Sequence, residues 1–248
     1  MVNQTFKDWQ CVISDDASTD RSVEIANEYQ AKDSRFKVIT HSKNVGAANN
    51  WNRAKDDNES FATKILCADD YLYPEALSKQ LNILKETDSA IVFSEREVVF
   101  PGGKKLHPKL PIYSNKISFT EAFKYYIKAG RNIFGEPVSA LLRTDKFKKS
   151  EGFHPKFEYT LDTSGYMAIS RGHHVTFDKN VIGAFRISKT QWSHRLRSKQ
   201  FSHIFGFIDH LVEFEGVRAS RFEVLVGKIK VMGANLIRVL IYKFLRDK

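Results

Sequence analysis

The sequence predicts an α/β fold: a Rossmann-like, mostly parallel sheet flanked by helices, with a helical C-terminal extension. Three observations predict it. Short apolar runs alternate with amphipathic helical segments through residues 9–93, the pattern of a sheet built from crossover units. Two of those runs end on adjacent aspartates, Asp15-Asp16 and Asp69-Asp70. Beyond Trp192 the apolar positions, from Phe201 through Leu211 and from Val224 to Leu240, recur at helical spacing.

The elements follow in order. Residues 9–14 read as a strand that ends on Asp15-Asp16-Ala17-Ser18-Thr19-Asp20, a cluster of loop and capping residues, and a helix follows over 21–31. Residues 36–39 form the next strand, and Asn44-Val45-Gly46 supplies turn chemistry into a helix through Asn50 and Trp51. Residues 63–67 read as a third strand. Pro74, at a first helical position, opens a helix to about residue 85, and 90–93 make a fourth strand. A hairpin around Pro101-Gly102-Gly103, a helix over 120–129, a strand over 137–143 and a helix over 161–171 come next. Short strands at 175–177 and 181–185 precede a helical run to the end of the chain. A division into a sheet domain at 1–197 and a basic amphipathic extension at 198–248 is expected.

Composition narrows the class. With 42% hydrophobic and 27% charged residues the 248-residue chain is globular, and its net charge of +10 favours an anionic partner. Part of that excess is local to 228–248, where Lys228, Lys230, Arg238, Lys243, Arg246 and Lys248 face one acid, Asp247. The two cysteines, Cys11 and Cys67, sit in apolar runs and are expected to be reduced core residues. Met1 is followed by Val2-Asn3-Gln4-Thr5 and not by a basic segment with an apolar stretch, so no secretory signal is expected. No window reaches the roughly 18 apolar residues of a membrane span. His173-His174 lacks the spacing of a helical zinc site, and Gly102-Gly103-Lys104-Lys105 lacks that of a phosphate-binding loop. No recognisable motif supports nucleic acid as a partner.

The strand-end acids carry the chemistry. In a parallel sheet the pairs Asp15-Asp16 and Asp69-Asp70 would overhang one edge, where ligands bind. A hard divalent ion, Mg²⁺ or Mn²⁺, takes carboxylate and phosphate oxygens and would explain acids gathered in a basic protein. Aspartates that merely end strands and cap helices are the alternative for either pair taken alone.

These residues resemble glycosyltransferase family 2. Asn3-Gln4-Thr5-Phe6 with Val12-Ile13-Ser14-Asp15-Asp16-Ala17-Ser18-Thr19-Asp20 is similar to that family's opening segment. Asn44-Val45-Gly46 with Asn52 is similar to its second motif, and Lys64-Ile65-Leu66-Cys67-Ala68-Asp69-Asp70-Tyr71-Leu72-Tyr73-Pro74 to its metal-site segment. The resemblance spans residues 3–195 and implies the GT-A fold. It further implies transfer of a sugar from a nucleoside-diphosphate sugar to a saccharide or lipid-linked acceptor, inverting and metal-dependent, in polysaccharide or glycolipid synthesis.

Carried over by residue, the resemblance gives Asp15, Asp16, Asn44 and Gly46 to the nucleotide side and Asp69 to the metal, with Asp70 beside it. Cys67 stands where the family has its first motif acid. Asp162 matches the general base that takes the acceptor proton; helix capping is its alternative reading, and Glu158 the substitute base. Phe185-Arg186-Ile187-Ser188 with Trp192-Ser193-His194-Arg195 resembles a loop that closes over the diphosphate, with Ser188 in the place of the family's histidine, so Arg186, His194 or Arg195 would meet phosphate; a plain solvated basic loop is the alternative reading. The family's first strand, which would precede Asn3, has no counterpart in the sequence.

Two readings of the extension stay open. It packs on the sheet domain or forms a homodimer, or its basic aromatic helices lie on an anionic membrane, giving a cytoplasmic protein peripheral to the inner face. A non-catalytic remnant that binds nucleotide sugars is the alternative function.

Overall fold

A computed structural model describes residues 1–110, 116–188, 196 and 199–246, with side chains described as far as Ala234. The first strand, β1 (Cys11–Asp15), pairs in parallel with β2 (Phe36–Thr40) across α1 (Ser22–Lys32), and the two make a separate two-stranded sheet. The other strands build a seven-stranded mixed sheet. Its spine is β5 (Ile91–Val99) beside β9 (His174–Arg186), paired in parallel with register shifts near Glu95. Antiparallel to these run β4 (Tyr71–Leu72), β6 (Lys105–Leu106), β7 (Ile117–Ser118) and β8 (Ala140–Arg143), and β3 (Ala62–Thr63) pairs antiparallel with β8 and so runs in the direction of β5.

The α/β class holds, but the expectation of a mostly parallel sheet does not. Only the pairings β1/β2 and β5/β9 are parallel among the described ladders. The physical reason lies in the connections. The chain turns back at the end of β5 through a hairpin at residues 100–104, which makes β5 and β6 antiparallel neighbours, and the pairs β3/β8, β5/β8, β4/β9 and β7/β9 bring together strands far apart in sequence, whose direction no local pattern announces.

The separate strands expected at 175–177 and 181–185 are one thirteen-residue strand, because β5 supplies a continuous partner. The third strand expected at 63–67 shrinks to Ala62–Thr63, and residues 64–67 leave the ladder. Here the Lys64 ammonium is drawn inward, donating to Gln80 Oε1 at 2.8 Å, to the Val138 carbonyl at 2.7 Å and to the Ala140 carbonyl at 2.9 Å. A buried ammonium whose donors are all taken anchors this segment by its side chain. β1 and β3 thus each keep an edge outside the described ladders, and on β1 Val12 is 54% exposed.

Two clusters tie the small sheet to the large one. Cys11 and Ile13 pack with Trp9, Phe36 and Leu77 of α3 (Ala76–Thr87). On the other side, Ala48 and Trp51 of α2 (Ala47–Asn52) join the main core, and Asn52 exchanges hydrogen bonds with the Phe153 backbone at 2.8 and 2.9 Å.

That core centres on Phe93, Phe123, Phe134 and Tyr166, each nearly or fully buried. Phe123 belongs to α4 (Phe119–Ala129), whose Ser118 and Glu121 close a capping box. Tyr166 belongs to α6 (Leu161–Ser170), and α5 (Thr144–Lys149) adds Phe147. The helical run expected beyond Trp192 consists, among the described residues, of α7 (Gln200–Glu213) and α8 (Arg221–Arg246). Phe207, Ile208, Leu211 and Val231 of these helices share the main core. Gly227 permits the contact: a Cβ there would collide with the Ile127 carbonyl of α4, so glycine lets α8 lie directly on that helix. Among the described residues no helix is long and apolar enough to cross a membrane.

Candidate active site

Two constellations of sequence-predicted residues form, on different elements. The first is the loop after β1. Asp15 is 9% exposed and accepts the Ser18 amide at 2.9 Å. Asp16 accepts the Val45 amide at 2.6 Å on one oxygen and the Gly46 amide at 3.0 Å on the other, while Asn44 donates to the Asp16 carbonyl at 3.2 Å. Asp16, Asn44 and Gly46 thus lock two loops together. Gly46 has φ +82°, a conformation that side-chain-bearing residues rarely hold, and at this residue the chain turns from the loop into α2. Ser14 and Asn50 fasten the same junction, with Asn50 donating to the Ser14 carbonyl at 3.0 Å.

The second constellation gathers Cys67, Asp69, Asp70, Arg186 and Asp162. Asp69 closes no strand, contrary to expectation. Both acids lie in a tight turn, with the Asp70 amide donating to the Cys67 carbonyl at 3.0 Å, that leads into β4. The turn brings one ligand atom from each of Cys67, Asp69 and Asp70 within 4.8 Å of one another. Arg186, at the end of β9, reaches across: its amide donates to Asp70 Oδ1 at 3.1 Å and its guanidinium to the Asp69 carbonyl.

Asp70 is 7% exposed, and its second oxygen, Oδ2, is buried with no hydrogen-bond partner. Burial pushes its carboxyl up to about 7, with the Asp69 and Glu136 charges adding to the rise and the Arg186 amide opposing it. A cation among these oxygens would reverse that balance and satisfy the orphaned atom, so the residues fit a divalent ion.

Asp162 lies in the first turn of α6 and is not its cap, a position held by Thr160 without a side-chain bond. One carboxylate oxygen accepts the Thr163 amide at 2.7 Å and its hydroxyl at 3.2 Å; the other accepts Asn132 Nδ2 at 3.1 Å. Burial raises the carboxyl to about 6, Glu136 adds to the rise, and Thr163 and Asn132 pull it down. The Asp162 charge also acts on the Cys67 thiol, which burial and three nearby acids hold well above its usual range. Asp162 therefore belongs to the same field as the acid turn. Glu158, the substitute base, instead lies 3.7 Å from Lys199.

Sequence reasoning missed Glu136, Arg96 and Asn132. Glu136 acts electrostatically on both Asp70 and Asp162 and is paired with the nearly buried Arg96 at 2.6 Å. Asn132 orients the Asp162 carboxylate. Their signal was faint: Gly135 and Pro137 mark a turn around Glu136, but nothing in the chain says which residues that turn faces. The Trp192-Ser193-His194-Arg195 segment lies outside the described residues.

The family model of Glycosyl transferase family 2 matches residues 1–150. The chain belongs to that family. An uncharacterized glycosyltransferase of Methanocaldococcus jannaschii is 32% identical over 130 residues, covering 52% of this chain and 44% of the relative. A poly(ribitol-phosphate) beta-glucosyltransferase of Bacillus spizizenii is 30% identical over 132 residues, covering 48% of this chain and 20% of the relative. The chain thus spans less than half the length of these curated relatives.

Among solved structures, S. aureus TarS 1–349 with UDP-GlcNAc superposes with a TM-score of 0.68 at 16% identity, over 87% of this chain and 61% of that one. A mannosyltransferase of Pyrobaculum calidifontis with GDP-Man and Mn²⁺ gives 0.62 at 13% identity, over 100% of this chain and 74% of that one. At these identities the likeness shows the GT-A fold of the family. Both constellations described above lie within the matched stretch except Asp162 and Arg186, which the fold brings to it.

Proposed function

We propose that this chain transfers a sugar from a nucleoside-diphosphate donor to an acceptor hydroxyl by a single in-line displacement, with Asp162 as general base. The observation that carries the reading is the Asp162 carboxylate, fixed by Thr163 and Asn132, raised to about 6 and coupled to the acid turn. A base with a pKa near the working pH combines adequate ionisation with proton affinity. Asp69 and Asp70 would hold Mn²⁺ or Mg²⁺, which when bound supplies Lewis-acid stabilisation of the departing diphosphate. Arg186 would steady the diphosphate from β9, and the loop joined by Asp15, Asp16, Asn44 and Gly46 would seat the nucleotide.

The TarS and mannosyltransferase complexes with UDP-GlcNAc and GDP-Man support a nucleotide-sugar donor. The poly(ribitol-phosphate) relative supports an acceptor in cell-envelope polymer synthesis. On α8, Phe222, Leu225, Ile229 and Met232 are all more than half exposed and recur at three- and four-residue spacing, beside the basic Lys228 and Lys230. That stripe fits peripheral contact with an anionic bilayer that carries a lipid-linked acceptor. Co-sedimentation with anionic vesicles that weakens with salt supports this; a dimer in solution that buries the stripe replaces it.

The deciding experiment is a transfer and donor-hydrolysis assay with UDP- and GDP-sugars, with and without Mn²⁺, on the chain and on Asp69→Ala and Asp162→Ala. Turnover that needs both acids and the metal is expected. Turnover indifferent to both acids would refute the assignment. The alternative, a nucleotide-sugar-binding protein without activity, draws on the open edge of β1. Calorimetry showing donor binding with no turnover at any metal concentration would favour it.

A further inference from the structure

The two cysteines have opposite surroundings. Cys11 packs with Trp9, Phe36 and Leu77, the setting of an inert core thiol. Cys67 is set among carboxylates: its sulfur lies within 4.8 Å of ligand atoms of Asp69 and Asp70, and the Asp162 charge also reaches it. Neighbours of that kind oppose a thiolate. A bound cation would turn the same neighbours into fellow ligands.

An independent observation points to such an ion. Asp70 is 7% exposed, Oδ1 accepts the Arg186 amide, and Oδ2 is buried without a hydrogen-bond partner. An ionised oxygen left in that state is costly, and native structures rarely keep one without a ligand. The turn closed by the Asp70 amide on the Cys67 carbonyl is what brings sulfur and carboxylates together.

We propose that Cys67 Sγ is itself a ligand of the cation held by Asp69 and Asp70, so that this corner is a mixed sulfur–oxygen site preferring Zn²⁺ or Cd²⁺ to Mg²⁺. The inference rests on the reading of this turn as a cation site. Thiolate selects borderline and soft ions, whereas Mg²⁺ demands oxygen. On coordination the Sγ–H proton leaves to solvent and the sulfur lone pair forms the metal bond, so binding tightens with rising pH.

The test titrates the full chain with Cd²⁺ and Zn²⁺ and follows the ultraviolet thiolate-to-metal charge-transfer band of the Cd²⁺ form. One equivalent of Cd²⁺ is expected to produce the band, which Cys11→Ser keeps and Cys67→Ser loses. Zn²⁺ affinity is expected to fall about tenfold or more in Cys67→Ser, at least the loss typical of disturbing a metal's outer partners. Cys67→Asp is expected to restore the oxygen set and favour Mn²⁺.

A second measurement needs no variant: alkylation mapped by mass spectrometry should slow at Cys67, not at Cys11, when Zn²⁺ or Cd²⁺ is present. A missing band in the unaltered chain, or Cys67 alkylation unmoved by both ions, overturns the proposal. The two readings fail separately. Metal- and Asp162-dependent transfer without the band leaves the transferase reading and removes the sulfur ligand; the band in a chain that neither binds nor turns over nucleotide sugars does the reverse.

Discussion

Replacing Asp162 with asparagine tests the chemistry and the electrostatics together. The carboxylate accepts three hydrogen bonds, two from Thr163 and one from Asn132. An amide retains one acceptor oxygen; turned toward Thr163 it keeps both of those bonds, its NH₂ then faces the Asn132 donor, and one bond worth about 1 kcal/mol is lost. Against that, the buried charge disappears. Its carboxyl is raised from 3.8 to about 6, so at pH 8 ionisation costs the folded state on the order of 3 kcal/mol relative to the unfolded chain.

The sign follows from linkage. A raised acid is a source of stability below its unfolded pKa, and that stability is lost as pH rises through about 6. Asp162→Asn should therefore be as stable as the parent or more so at pH 8, and less stable near pH 4, as thermal melts at the two pH values would read. Activity should move the other way. Loss of a general base lowers kcat by about 10²–10⁴, and the parent's rate should climb with pH through about 6 and then level off. A variant within about tenfold of the parent, or a parent profile flat from pH 5 to 8, refutes the assignment of Asp162 as base.

Other perturbations probe its surroundings. Glu136→Gln removes a charge that raises Asp162, so the midpoint of the pH–rate profile should shift down, while the nearly buried Arg96 loses its partner and the fold loses roughly 3–5 kcal/mol; an unmoved midpoint would uncouple the two acids. Lys64→Met leaves Gln80 Oε1 and two carbonyls without their donor, and chemical denaturation should show a loss of a few kcal/mol. Because burial lowers the Lys64 ammonium to about 7, the folded parent binds fewer protons than the unfolded chain between about 7 and 10.5. Parent stability should thus gain from this group as pH rises through that window, and Lys64→Met should lack the gain. Gly46→Ala meets no neighbour, so its cost of about 1–2 kcal/mol is conformational; donor affinity measured by calorimetry should weaken as the Asp16 latch loosens.

How the chain writes its site explains what could be read from it. Asp15-Asp16 and Asp69-Asp70 stand out because each pair is local, fixed by a strand end or turn, and so is the Asn44-Val45-Gly46 turn that serves Asp16. Asp162 was identified by resemblance, since an acid in the first turn of a helix is indistinguishable by spacing from a cap. Helix and strand periods located α1 through α4 and β1, β2 and β5, where each element's face is set by its own residues.

The sequence by itself determined the α/β class, the acids and the glycine that turns the loop, because these depend on contacts between residues close along the chain. Only the tertiary structure decided the mixed sheet, the separate β1/β2 pair, the shortened β3, and the company kept by Asp162. Strand direction follows from which distant partner is available, and a carboxyl's pKa from the charges and solvent around it. Asn132 and Glu136 lie 26 or more residues from Asp162 in sequence yet set its field, with Glu136 held by the still more distant Arg96, and no local pattern encodes an encounter made by folding.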